Sequence, residues 1–209
     1  MATATKRVTQ APPKPAVMDL PLYQFTVEQY QRAEAEGLFG SARVELIEGY
    51  VVRKGPMGPR HAVSVGRTED QLRPRVPQGW CVRTQMDVAL SSSQPLPDVV
   101  IAVGSRDDYA DHHPGPTDVA LVVEVADSSL EEDRTIKLPL YATDRVRVYW
   151  IVNIPERRLE VHTRPVAGKN PRYRDVQSLA ETDSVTVAVG KAVVGPILVA
   201  NLLPPVSQP

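Results

Sequence analysis

The sequence predicts an α/β (α+β) fold, a mixed β-sheet flanked by helices with additional β-hairpins, and three observations carry that prediction. Two almost continuous apolar runs, 98–103 and 119–126, have the form of central strands covered on both faces. A helical segment from 130 to about 143 separates the second run from another apolar strand at 146–152, and a strand–helix–strand order normally closes as a right-handed parallel crossover. Shorter alternating segments with turn residues between them read as hairpins around this centre.

Taken in order, residues 1–22 carry Pro12, Pro13, Pro15 and Pro21 among Ala, Thr, Lys and Arg, a composition that resists both helix and sheet and predicts a tail. Thr26 with Gln29 three residues on has the form of a capping box, opening a short helix that Gly37 closes. Residues 44–52 read as a hairpin with Glu48-Gly49 at its turn, and 60 to about 73 as a helix ended before Pro74. From Trp80 to Val88 apolar and polar residues alternate, which predicts a half-buried strand. Residues 104–117 form a polar loop. Beyond the 146–152 strand, Pro155-Glu156-Arg157 turns into a strand at 159–163, and weaker strands at 172–177 and 185–189 complete a β-rich end. One domain over 23–204 accounts for the pattern, with 205–209 as a second tail.

Lys plus Arg number 24 against 25 Asp plus Glu, a formal charge of −1, so the chain as a whole lacks the positive field of a strong non-specific nucleic-acid binder. A lone Cys81 excludes an intramolecular disulfide and favours a reducing compartment. No apolar run approaches the roughly 20 residues needed to cross a bilayer, and the first twenty residues lack a secretory hydrophobic region; a cytoplasmic protein without a membrane partner is the expectation.

Chemistry concentrates between residues 96 and 141. Asp98 stands at the mouth of one apolar strand, and Glu124 lies inside another, where its carboxylate is costly to desolvate unless a cation or donor meets it. If the two strands are neighbours, both acids can face one cleft. Together with a backbone carbonyl, that of Val125, they would suit a hard divalent cation such as magnesium. Lys137 falls four residues after Asp133 and four before Tyr141, one face of a regular helix. Beside a metal and a phosphate it could orient a water and offset charge; alone, it reads as an ordinary surface Asp-Lys pair. Glu45 occupies a strand and could add a ligand, whereas Glu48 is placed as a solvated turn residue. His61 follows a Gly/Pro-rich loop and could touch phosphate or act as an acid or base, although a lone histidine is more often structural. His112-His113 lacks the Cys or i, i+4 His partners of a transition-metal site. Phosphate-binding Gly loops and nucleophile elbows are absent from the sequence. The basic stretch from Arg157 to Arg174 reads more readily as a solvated hairpin face than as a phosphate track.

Several blocks then combine: Phe25-Thr26-Val27-Glu28-Gln29-Tyr30, Val44-Glu45-Leu46-Ile47-Glu48-Gly49, Pro59-Arg60-His61, Pro97-Asp98-Val99-Val100, Leu121-Val122-Val123-Glu124-Val125, Asp133 to Leu138 with Tyr141-Ala142, and Tyr149-Trp150-Ile151-Val152. In this order, from about residue 25 to 203, they resemble the signature blocks of the Uma family of bacterial predicted restriction endonucleases, within the PD-(D/E)XK nuclease superfamily. The resemblance implies a restriction-endonuclease-like core and phosphodiester hydrolysis dependent on magnesium or manganese. Residue by residue, it implies Asp98 as the motif aspartate, Glu124 as the motif acid and Lys137 as the motif lysine moved onto the following helix. Glu45 matches the early acidic position and His61 the loop histidine. Two departures stand out: Ala126 occupies the place where the superfamily pattern has its lysine, and Asp127-Ser128-Ser129 replaces the family's Ser-Pro-Ser.

The reading is therefore a metal-dependent endonuclease acting on DNA, with homodimerisation expected by analogy with enzymes that cut both strands. The alternative is a catalytically weak or inactive nuclease-fold module that binds nucleic acid or a protein partner.

Overall fold

Strand β5 (Val119–Ala126) is buried at all of its positions, and the rest of the molecule is arranged around it. The computed structural model describes residues 20–206, so most of the tail expected over 1–22, and residues 207–209 at the other end, lie outside the described residues. Helix α1 (Val27–Ala35) begins at the expected capping box: the Gln29 backbone N–H donates to Thr26 Oγ1 at 3.1 Å, and the Thr26 N–H donates to Gln29 Oε1 at 2.9 Å. Strands β1 (Val44–Ile47) and β2 (Tyr50–Arg53) form the expected hairpin. Glu48 at φ 49° and Gly49 at φ 83° make the turn with two left-handed residues, the combination that matches strand twist in a two-residue loop. Helix α2 (Pro59–Leu72) starts on a proline, whose missing N–H costs nothing in the first turn, and tightens into a 3₁₀ turn at Arg73–Arg75 that contains Pro74.

The main sheet comprises β3 (Trp80–Thr84), β4 (Val99–Val103), β5, β6 (Val148–Asn153), β7 (Arg158–Val166) and β8 (Arg172–Ala180), hydrogen-bonded in that order. Only β5 and β6 run parallel, joined by the predicted helical crossover; the other pairs are antiparallel. The crossover is α3 (Leu130–Glu132), a π-helical turn (Asp133–Lys137) and α4 (Leu138–Thr143). A separate hairpin, β9 (Ser184–Val189) with β10 (Ala192–Leu198), packs on the face of the sheet that also carries α2. There Val99, Ile101, Val123 and Val125 meet Val65, Leu72, Val187 and Ile197. On the opposite face Val100 and Val122 meet Ile47, Leu140 and Tyr141. Each such fully buried aliphatic side chain contributes about 1.5–3 kcal/mol.

Two expectations need correction. The strand predicted from Trp80 to Val88 stops at Thr84, because Gln85 turns to φ 51° and its N–H donates to the Asp98 carbonyl at 3.0 Å. Its alternation also fails, since Arg83 is buried beside Val82. The helix at 130–143 is present but not regular: its middle turn is π-helical, held open where Tyr149 Oη donates to the Asp133 carbonyl at 3.2 Å and where Arg134 forks onto Glu160 of β7.

Away from the sheet centre, Gln94 Nε2 donates to both Glu34 Oε2 (3.1 Å) and Asp87 Oδ2 (3.0 Å), bringing two carboxylates together. Burial, with Glu34 adding to it, pushes Asp87 from its ordinary 3.8 up to about 7. As pH rises from about 4 to about 7 the unfolded chain gives up this proton before the folded one, so the native state loses stability across that window. Asp87→Asn keeps an acceptor for Gln94 and removes the titration. It should stabilise the fold by about 1–2 kcal/mol at pH 8 and by nothing at pH 3.5, allowing for partial exposure of the site. Urea melts across pH would check this, and a gain that does not depend on pH would refute it.

Candidate active site

Register places the two predicted acids on one side of the sheet. Val99 of β4 lies opposite Val123 of β5, and the next step of that antiparallel ladder sets Asp98 opposite Glu124. Both line one cavity of about 130 Å³, together with Glu45, His61, Val125 and Lys137. The five predicted side chains and the predicted backbone position thus meet in one place.

Asp98 is buried and held at both oxygens. Oδ1 lies 3.0 Å from His61 Nε2, brought in by the first turn of α2, and Oδ2 accepts the Val125 N–H at 2.8 Å. Burial opposes its charge, but His61, Lys54 and the Val125 N–H outweigh burial and leave its carboxyl below the usual range. For His61 burial likewise acts against the charged form, and the Asp98 contact prevails to raise it.

Glu124 Oε1 accepts hydrogen bonds from Lys137 Nζ at 3.0 Å and Tyr141 Oη at 2.9 Å. Its Oε2 accepts no hydrogen bond from any described residue. Desolvation pushes Glu124 up to about 7, against the pull of Lys137 and Lys54. Lys137 is itself buried, which favours its neutral form, yet Glu124, Glu45 and Asp133 together raise it, so its ammonium stays charged. These directions pull against each other, because a raised Lys137 presupposes an ionised Glu124. The 3.0 Å contact favours the ion pair, against the desolvation that favours a protonated Glu124.

Glu45 Oε2 accepts the Leu96 N–H at 3.1 Å and stands 3.6 Å from Lys137 Nζ and 3.9 Å from Lys54 Nζ. Lys137 therefore bridges two buried acids from two different sheets. Asp133, which sequence reasoning treated only as a helical neighbour of Lys137, is buried on the same cavity, with Ser129 Oγ donating to it at 2.7 Å. Burial raises it to about 6. Lys54 and Gln85 also line the cavity and carried no signal in the sequence, since one follows a short strand and the other sits at an unforeseen break. Glu48 is exposed in its turn, as expected. His113 lies 3.8 Å from Asp87, outside this cavity, and burial lowers it.

The donor set fits a hard cation in a particular way. Among the described residues, no group of three or more His, Cys, Asp or Glu side chains is arranged to hold a metal ion. Asp98 and Glu124 would supply two carboxylates, with backbone oxygen and water completing the ligand set, which is the habit of magnesium more than of zinc. Arg43, Arg53 and Glu132 are exposed at the rim of this cavity, and in its buried part the carboxylates Glu45, Asp98, Glu124 and Asp133 face one buried ammonium, that of Lys137, so an added cation there is favoured by charge.

No curated protein matches the chain. Among solved structures, a crystal structure described as a putative nuclease belonging to DUF820 from Anabaena variabilis is similar at a TM-score of 0.57 and 12% identity, over 76% of this chain and 88% of that one. That likeness establishes the fold, a restriction-endonuclease-like mixed sheet with flanking helices and hairpins. The family model described as "Uma2: Putative restriction endonuclease" matches residues 27–193, a span containing every residue of the cavity described above, and the chain belongs to that family.

Proposed function

We propose that this protein is a metal-dependent endonuclease that hydrolyses phosphodiester bonds of DNA. The observation that carries the proposal is the convergence of Asp98, Glu124 and the Lys137 ammonium on one cavity whose buried part is rich in carboxylate. Asp98 and Glu124, with the backbone of Val125, would hold magnesium or manganese. When bound, the ion would polarise a phosphoryl oxygen and lower the pKa of a water. Lys137, fixed between Glu124 and Glu45, positions a donor for the attacking water and a positive charge for the phosphorane-like transition state. His61 holds Asp98 in orientation through its 3.0 Å contact, and Glu45 holds Lys137. A homodimer would bring two such sites to the two strands of a duplex.

One feature favours the second reading, a binding module with little catalysis: both Asp98 oxygens already have partners, and Glu124 shares one of its own with two donors. The test is cleavage of supercoiled plasmid, linear duplex and RNA by the purified chain with magnesium, manganese or chelator. DNA cutting that chelator stops supports the proposal. Stable DNA binding without cutting under every metal condition transfers support to the binding module.

A further inference from the structure

A second polar site lies around the edge of β3, and its centre is a cation with no ion-pair partner among the described residues. Arg83 is only 8% exposed, yet it makes no ion pair and no side-chain hydrogen bond with any described residue; its buried Nε is without a partner. Its one specific contact is the ring of Tyr109, whose centroid lies 4.8 Å from the guanidinium carbon. Tyr109 is in turn fixed by its own hydroxyl, which donates to the Val103 carbonyl at 2.7 Å. A ring face can attract a guanidinium but cannot accept its in-plane N–H groups.

Arg83 and Tyr109 line a cavity of about 300 Å³ with Thr84, Met86 and Arg106. The Arg106 side chain also has no ion pair or hydrogen bond among the described residues. Nearby carboxylates are engaged elsewhere. Glu69, whose carboxyl is lowered in part by the charge of Arg106, is bound by Thr84 Oγ1 at 2.7 Å and by Arg73, Asp108 accepts the Ser105 N–H, and Asp118 accepts the Gly115 N–H. Two guanidinium groups on one concave surface, neither hydrogen-bonded to a described residue and one of them buried, favour an anion of planar or tetrahedral oxygens.

We propose that this cavity is a phosphate site that receives a backbone phosphate of the nucleic acid strand, outside the Asp98–Glu124 cavity. The choice of nucleic acid as the source rests on the endonuclease reading. The phosphate chemistry rests on Arg83 and Arg106 alone. Chain geometry connects the two places: Thr84 and Met86 line the phosphate cavity, while Gln85 between them lines the candidate active site. A strand crossing the end of β3 would meet both. Met86, 51% exposed beside the guanidinium groups, offers apolar surface to a sugar or base.

The test compares the full chain with Arg83→Met and Arg106→Met in chelator, which on the endonuclease reading prevents cutting. Binding of fluorescent duplex and single-stranded DNA is followed across salt, and thermal melts are run with inorganic phosphate. Each variant should bind about tenfold more weakly, with a log–log salt slope shallower by about one, as expected for losing one phosphate contact. Phosphate should raise the melting temperature of the parent but not of Arg83→Met. Arg83→Met should itself melt no lower than the parent, since it replaces an unpaired buried charge by an apolar chain of similar length, and Arg83→Lys supplies a charged second variant. Unchanged DNA affinity and unchanged phosphate response in both Arg83 variants would overturn the site. A phosphate response lost in Arg83→Met, with no DNA binding by the parent, would keep the anion site and remove nucleic acid as its source. Binding retained by Asp98→Asn would separate this site from the fate of the endonuclease reading.

Discussion

Asp98→Asn should reduce metal-dependent DNA cleavage by about a thousandfold or more, roughly 4 kcal/mol of transition-state stabilisation, while the protein remains folded. Asparagine is isosteric, and its oxygen can still accept the Val125 N–H that now bonds Asp98 Oδ2. What disappears is the charge that would draw the cation, so the loss should appear in the rate even at high magnesium. Steady-state cleavage of plasmid, with circular dichroism melts on the same preparations, measures both. The His61 ring supplies an independent readout. Its pKa is raised by Asp98 against the effect of burial, so in Asp98→Asn it should fall, and the imidazole proton resonance should titrate at lower pH. A variant that cuts at the parent rate, with His61 titrating lower, would show that the contact is real and the assignment of Asp98 is wrong.

Much of this arrangement was legible in the sequence because burial and chemistry conflict there. Glu124 announces itself as a carboxylate in an unbroken apolar strand, and the central strand pair followed from two apolar runs too continuous to be half exposed. The same logic did not reach Arg83. It sat in an alternating segment, on what looked like the polar face, and the helical and loop residues that cover that face come from elsewhere in the chain. Strand β10 carries no expectation from the sequence, because Gly195 and Pro196 interrupt its short apolar run. In the structure the chain bulges at Gly195, which adopts φ 122° where an added Cβ would lie 2.7 Å from the Val185 carbonyl oxygen, and pairing resumes beyond it. Lys54 was invisible because its role depends on tertiary approach, with Nζ donating to the Leu96 carbonyl at 2.6 Å across a sequence separation of 42. Spacing alone reads Asp133 with Lys137 as a pair on a wet helix face, whereas the π-helical turn places both on the cavity and buries them.

Lys137→Met should be the most destabilising single change in the site. The ammonium is 4% exposed and lies between Glu124 at 3.0 Å and Glu45 at 3.6 Å. Methionine fills its volume but leaves two buried carboxylates facing each other, with the remaining Tyr141 donor on Glu124 and the Leu96 N–H on Glu45. Breaking a buried pair in this way costs about 3–5 kcal/mol, most of it from the unpaired charge left behind. The origin of the loss predicts its remedies. Acidification to pH 5 should recover stability, because Glu124 already tends toward its protonated form near pH 7 and loses its main cation in the variant. A second substitution, Glu124→Gln, should recover most of it at neutral pH, so the double-mutant cycle should show strong coupling. Denaturant melts of the four proteins at pH 5 and pH 7.5 decide the matter. If Lys137→Met is as stable as the parent at pH 7.5, the ammonium is not the counter-ion of Glu124. If stability is lost and neither acid nor Glu124→Gln restores it, the damage lies in the packing of the π-helical turn instead. Cleavage should be lost in Lys137→Met under conditions where it is still folded, and Glu124→Gln should not restore it. Restored stability without restored cutting would separate what Lys137 does for the fold from what it does for the attacking water.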